Sequence, residues 1–204
     1  MLDIYERQKE LDLKIPPAVS VIGVGGIGSW VALSFALAGT KKLIIADPDE
    51  IELTNLNRTP FKISQIGLKK VYALQTLIQE RRLDTEVIAI DKKLETSSNR
   101  LKGLIIDCRD NLNDTGIKAD IYLRYDGFSM TIMPQLPDKE FIDPSNGYET
   151  VPSFVGSPML LASLVVSLVA YGIVLDTTYT FNVKDILEGL KWKQQRSLQL
   201  AGNL

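Results

Sequence analysis

Residues 23–28, Gly23-Val-Gly25-Gly26-Ile-Gly28, hold four glycines, three of which, Gly23, Gly25 and Gly28, make the spacing G-x-G-x-x-G. An apolar run, Val-Ser-Val-Ile-Gly-Val over 19–24, leads into them, and from Ile27 to Leu37 apolar residues recur at helical spacing. That order reads as strand, tight turn, helix. Glycine there lets the chain reverse sharply, lets strand and helix pack closely, and lets backbone amides approach a phosphate at the positive helix end. Taken alone the loop selects no particular nucleotide: NAD, flavin, methyl-donor and ATP sites all use it, and close strand–helix packing by itself also calls for glycine.

A second apolar run, Lys42 to Ala46, stops at Asp47-Pro-Asp-Glu, because Pro48 cannot donate into a ladder and holds its predecessor extended. A carboxylate ending the second strand, about 20 residues beyond the loop, is where ribose hydroxyls are held in folds of this kind, so Asp47 is a candidate for that task. The pattern then predicts a helix over 67–80 and strands over 86–90 and 103–107. Strands alternating with helices imply an α/β fold, a Rossmann-like and mostly parallel sheet covered on both faces. Ile121 to Tyr125 and Ser129 to Met133 read as later strands extending it, followed by a polar loop through Pro152.

Met159 to Leu175 runs for 17 residues without a charge, the lower end of the roughly 17–25 needed to cross a bilayer. Ser163, Ser167 and Gly172 interrupt it, Pro158 caps its start, and no lysine or arginine flanks it closely. We read it as a helix buried in the core or in a dimer interface. A length of 204 residues suits one domain with one sizeable core, spanning 1–204.

The balance of charges narrows the chemistry. A formal charge of -2 and a pI near 5.3 argue against nucleic acid as the main partner, since neutralising phosphates needs a surplus of lysine and arginine. The single cysteine forms no internal disulfide, and Asp3 and Glu6 stand where a secretory leader would be basic, so the cytoplasm is the expected compartment. Histidine is absent, which removes Ser/His and Cys/His nucleophile pairs and histidine-containing zinc sites.

The residues around the loop are more specific. Asp47-Pro-Asp49 followed by Asn55-Leu-Asn57-Arg58 resembles the Asp-x-Asp and Asn-Leu-x-Arg pattern of the ThiF/MoeB/ubiquitin-activating adenylyltransferase family. Gly67-Leu-Lys69-Lys70 is similar to its Gly-x-x-Lys, Asp107-Cys108-Arg109-Asp110-Asn111 to its Asp-Cys-x-Asp-Asn, and Tyr5-Glu-Arg7-Gln8 to its N-terminal Tyr-x-Arg-Gln. These motifs stand in family order over residues 5–111; beyond them the likeness is limited to a strand and an apolar helix.

The resemblance implies an ATP- and Mg²⁺-dependent adenylyltransferase that activates the C-terminal carboxylate of a small ubiquitin-like or sulfur-carrier protein. It implies that Gly23, Gly25, Gly26, Gly28, Asp47, Asp49, Asn55, Arg58 and Lys70 bind the nucleotide. Arg58, Lys70, Asp110 and Arg7 would carry catalysis, with Asp110 the magnesium-linked carboxylate and Asn55 positioning the reacting groups. Residue chemistry agrees: Arg58 offers a planar fork and Lys70 a point charge for phosphates, and the hard oxygen of Asp110 suits Mg²⁺. In the family the counterpart of Arg7 enters from the other subunit, so a homodimer is implied.

Departures from the pattern lie at the acceptor end. Cys108 is the only cysteine and falls inside a motif where it is not the family's thioester nucleophile, so neither that step nor a Cys-x-x-Cys zinc site fits this chain. Arg109 stands where small residues are usual, and residues 113–120 are too short for the arginine-bearing helix expected there. The expectation is an enzyme whose chemistry stops at the adenylate. Alternatives are a catalytically silent subunit paired with an active relative, or adenylation of a peptide or tRNA-nucleoside carboxylate.

Overall fold

A computed structural model describes residues 4–81, 84–94, 100–110, 116–127, 129–136 and 152–189. After a short 3-10 turn, Glu6–Leu11, come β1 (Ala18–Ile22), α1 (Gly26–Ala38), β2 (Lys42–Ala46), α2 (Lys70–Gln79) and β3 (Glu86–Ile90). β4 (Leu104–Asp107), β5 (Ile121–Asp126), β6 (Ser129–Met133), α3 (Gly156–Ala170) and β7 (Tyr179–Asn182) complete the chain order. The strands make one seven-stranded sheet in the order β3-β2-β1-β4-β5-β6-β7. The first five are parallel; β6 and β7 add on antiparallel.

This order fixes where a ligand can sit. From β1 the chain moves outward through β2 to β3, then returns to the far side of β1 for β4. The reversal leaves a crevice beyond the carboxyl ends of β1 and β4, the place where open α/β sheets bind ligands. The glycine turn leaves β1 there, and residues 108–110 leave β4 beside it. Backbone bonds carry the strands up to this edge: Gly23 N–H donates to the Ala46 carbonyl at 2.8 Å and Cys108 N–H to that of Ile22 at 2.8 Å.

Side-chain alternation divides the core. Val19, Val21, Leu43, Ile45, Ile106 and Leu123 face one way and pack with all three α-helices. α1 is buried along most of its length, with Val31, Ala32, Phe35 and Ala36 inaccessible, because α3 lies against it. The opposite face gathers Ile22, Ile44, Ala46 and Ile90 under Leu101, Ile117 and half-buried Leu94. The sheet is thus covered on both faces as expected, by the three helices on one and, among the described residues, by connecting segments on the other.

Element boundaries shift where glycine bends the chain. The helix expected from 67 begins at Lys70, because Gly67 holds φ at 83° in the preceding turn. The apolar stretch read as 159–175 is helical from Gly156 to Ala170, and Gly172 at φ 68° turns the chain away from the helix axis. α3 buries Leu161, Ala162 and Val165, while Met159, Ser163 and Ser167 remain exposed. Thus the helix is half-buried in the described structure. No described helix is long and apolar enough to cross a membrane. β7 was not anticipated: Tyr-Thr-Phe-Asn is only four residues long and none of them is buried.

The loop's own packing gives a direct test. A Cβ on Gly28 would stand 1.8 Å from the Gly23 carbonyl oxygen, a backbone atom with nowhere to move. Gly28→Ala is expected to destabilise the protein by about 3 kcal/mol or more, measured as a lower urea midpoint.

Candidate nucleotide site at the carboxyl edge of the sheet

Asp47 leaves β2 with its side chain only 5% exposed. Its Oδ2 accepts from the Val24 N–H at 2.7 Å and its Oδ1 from the Asp49 N–H at 2.9 Å. One carboxylate therefore holds the glycine loop against the exit of β2. Burial pushes its carboxyl above the usual range; the Lys70 charge and the two amides oppose that shift without cancelling it.

The long excursion between β2 and α2 folds back on itself. Ile51 N–H donates to the Leu68 carbonyl at 2.9 Å and Gly67 N–H to that of Ile51 at 2.9 Å. Lys70, at the start of α2, is thereby set against Asp49: its N–H meets the Asp49 carbonyl at 3.0 Å and its Nζ lies 2.8 Å from Asp49 Oδ2. The Lys70 side chain is 11% exposed and that of Asp49 62% exposed. The cation is thus lodged in the wall of the site, and the carboxylate beside it faces solvent.

Asn55 is buried, and its carboxamide oxygen accepts from the Glu52 N–H at 3.1 Å. Its backbone carbonyl receives the Arg58 N–H at 3.2 Å and the Thr59 hydroxyl at 2.9 Å. Asn55 here shapes the turn that presents Arg58. Trp30 of α1 fixes the same turn from below, donating Nε1–H to the Arg58 carbonyl at 2.9 Å. The half-buried guanidinium donates to the Thr54 carbonyl and the Asn57 side chain, and its Cδ reaches within 3.4 Å of where a Cβ on Gly26 would be.

On the other side of the crevice β4 ends in Asp107, fully buried. Arg109 Nε lies 2.9 Å from its Oδ1, and Arg109 Nη2 bonds its Oδ2. The Arg109 stem crosses Gly23, its Cγ 3.1 Å from a would-be Cβ. The arginine that looked out of place thus compensates a buried carboxylate, whose ionised form needs such a partner. Cys108 is buried between them, and desolvation first, then Asp107 and Asp110, push its thiol well above the ordinary range. A thiol so held stays protonated and is a poor nucleophile. Asp110 is exposed at the mouth, close enough to act on Tyr125 and Cys108 electrostatically. Asn111 and residues 113–115 lie outside the described residues.

No described atom comes within 4 Å of where a Cβ on Gly25 would be. A bound group can therefore approach the loop's backbone there, next to the first turn of α1.

The expected site residues fall into two groups. Gly23, Gly25, Gly26, Gly28, Asp47, Asp49, Asn55, Arg58, Lys70 and Asp110 are brought to one edge of the sheet. Arg7 is not. Gln8 Nε2 donates to the Ala38 carbonyl at 2.8 Å, and the Tyr5 ring lies 2.8 Å from a would-be Cβ on Gly39. That docks Arg7 at the C-terminal end of α1, a helix of 13 residues, about 20 Å from the glycine loop.

Sequence reasoning missed Trp30, Tyr125 and Ser153. Only Tyr125 left a signal: with Ile121 and Leu123 at i, i+2, i+4 it faces the helix side at the carboxyl end of a strand.

Fold and site define a Rossmann-class α/β protein with a glycine-loop crevice at the sheet reversal. The chain belongs to the ThiF family, whose sequence pattern matches residues 7–125, more than half of its length. It is 32% identical over 127 residues to ubiquitin-like modifier-activating enzyme 5 of Branchiostoma floridae, covering 54% of this chain and 30% of that protein. With the enzyme of the same name from Bombyx mori it is 40% identical over 95 residues, 47% of this chain and 23% of that protein. The chain spans less than a third of the length of these curated relatives. Among solved structures, PaaA superposes with a TM-score of 0.62 at 20% identity, covering 82% of this chain and 61% of that one. E. coli MccB solved with ATP gives 0.62 at 19% identity, covering 81% and 63%. Those likenesses show the fold.

The raised Asp47 value has a pH signature. Because its folded value lies above 3.8, the folded state takes up this proton first, so the Asp47 contribution grows as pH falls through the folded value and levels off below the unfolded one. Urea unfolding of wild type and Asp47→Asn at pH 7 and pH 4 should show wild type gaining stability relative to the variant at the lower pH.

Proposed function

We propose that this chain is a cytoplasmic ATP-dependent adenylyltransferase that activates the C-terminal carboxylate of a small ubiquitin-like or sulfur-carrier protein, the whole chain acting as one adenylation domain. The observation that carries the reading is the convergence of the glycine loop, Asp47, Arg58, Lys70 and Asp110 on one edge of the sheet, in a member of the ThiF family. The relatives' name, ubiquitin-like modifier-activating enzyme 5, supports the substrate class, and MccB solved with ATP supports the nucleotide.

The chemistry suits a chain without histidine. A substrate carboxylate is already deprotonated at neutral pH, so it attacks the α-phosphorus without a general base. A new P–O bond forms to the carboxylate, the bridging α–β P–O bond breaks, and its electron pair leaves with pyrophosphate. What the protein must supply is positive charge where negative charge grows. In this reading Arg58 and Lys70 would meet the phosphates, and Asp47 the ribose beside the loop it already tethers. Lys70, paired here with Asp49, would exchange that carboxylate for phosphate oxygens.

Among the described residues no group of three or more histidine, cysteine or acidic side chains gathers to hold a metal by itself. That fits Mg²⁺ taken up with the nucleotide phosphates and water, with Asp110 as the protein's carboxylate. The ion would neutralise charge on the departing pyrophosphate. The buried, protonated Cys108 agrees with chemistry that ends at the acyl-adenylate. A peptide C-terminus is the second substrate reading, because MccB solved with MccA-N7isoASN shares the fold over 81% of this chain.

Carrier-stimulated ATP/pyrophosphate exchange should fall about 100-fold or more in Arg58→Ala and in Asp110→Ala. Exchange unchanged in Asp110→Ala would show the assigned mechanism to be wrong, and ATP binding with no adenylate on any carrier or peptide would favour a silent subunit.

Arg7, remote from its own loop, would act on a second copy in a homodimer. Arg7→Ala and Arg58→Ala, each inactive alone, should regain about a quarter of wild-type activity when mixed, if random pairing gives half the dimers one intact composite site. An Arg7→Ala variant that stays active would place Arg7 outside the reaction, and failure of two inactive variants to complement would show that Arg7 does not act across a dimer.

A further inference from the structure

Tyr125 is the last but one residue of β5, and its hydroxyl stands 2.7 Å from where a Cβ on Gly26 would be. It thus lies over the first residue of α1, where backbone N–H groups and the helix dipole favour an anion. The Ser153 hydroxyl is 2.6 Å away. Arg58 and Asp110 both act on the phenol electrostatically. Ser153 is itself held in place: its carbonyl accepts from Asn57 Nδ2 at 3.0 Å, and Asn57 adjoins Arg58. Tyr125 therefore ties the strand end, the Arg58 turn and the segment entering α3 together above the glycine loop.

We propose that the Tyr125 hydroxyl is a phosphate-binding donor of this site, completing with Arg58 and the Gly26 end of α1 a three-sided cradle for the nucleotide phosphate. Ser153 orients it: when the serine hydroxyl donates to the phenol oxygen, the phenol proton is left to point into the cradle. Burial raises the phenol above its ordinary range, so it keeps that proton at neutral pH. A Cβ at position 26 would crowd the hydroxyl from this place. The family motifs read from the sequence assign nothing to Tyr125 or Ser153; the inference rests on the nucleotide reading above and adds a residue to it.

Titration calorimetry of the full chain with ATP plus Mg²⁺, and separately with adenosine, tests it. Tyr125→Phe removes only the hydroxyl and should weaken ATP about ten-fold while adenosine changes less than about two-fold. Ser153→Ala, which keeps the phenol but removes its orienting partner, should give a smaller ATP-selective loss of about three-fold. Unchanged ATP affinity in Tyr125→Phe overturns this inference and leaves the nucleotide site standing. Equal losses for ATP and adenosine, with a lower Tm, overturn it in favour of a structural tie. Wild type that binds no ATP overturns both readings. Should Tyr125→Phe fail to fold, Ser153→Ala decides, and the absence of an ATP-selective loss there overturns the proposal.

Discussion

The arrangement hangs on one buried carboxylate. Asp47 accepts the Val24 amide from the glycine loop and the Asp49 amide from its own turn, so it joins the exits of β1 and β2. Asp49, set by that turn, holds Lys70 through both its backbone and its side chain. A group at the end of one strand thereby fixes the glycine loop and the start of the next helix. Its ionised form is desolvated, a cost the two amides and Lys70 offset only in part. Folds tolerate such costs where geometry serves a ligand.

A second buried carboxylate, Asp107, is treated differently. It is met by the Arg109 guanidinium, which also covers Gly23, so the β4 side of the crevice is closed by an ion pair. Breaking such a pair by removing one partner leaves an uncompensated charge in the interior. The departure from the family pattern at position 109 is therefore bound up with the wall of the site. Cys108, enclosed between the two aspartates' surroundings and deprived of water, is kept as a thiol and belongs to the core. The acidic crevice is balanced by cations arriving from three separate segments, at Arg58, Lys70 and Arg109.

Much of the fold was legible. The glycine loop, β2, β3 and the later strands are encoded in short apolar runs and in period-two alternation, and helical spacing located α1. Glycine conformations at 67 and 172 moved the helix ends, since a positive φ is set by how a turn closes and leaves no periodic trace. That both faces of the sheet are covered was also legible; that connecting segments cover the second face among the described residues was not, because irregular chain has no period. Of the site, motif spacing pointed to Asp47, Arg58, Lys70 and Asp110. Tyr125 and Ser153 escaped, because a tyrosine in a strand reads as packing until its neighbour across the fold is known.

Sequence by itself determined most of the elements, the class of fold and the residue types fit for phosphates, because those depend on contacts between residues close along the chain. Tertiary structure alone decided which of them meet. It brought Arg58 over Gly26 and Lys70 against Asp49 through the fold-back between β2 and α2, and it brought Tyr125 above the loop, a pairing that only the return from β3 to β4 and β5 makes possible. It also carried Arg7 to the far end of α1, although its motif groups it with the others. The physical reason is the same throughout: periodicity reports the face a side chain takes, and the order of strands in the sheet reports what that face finds.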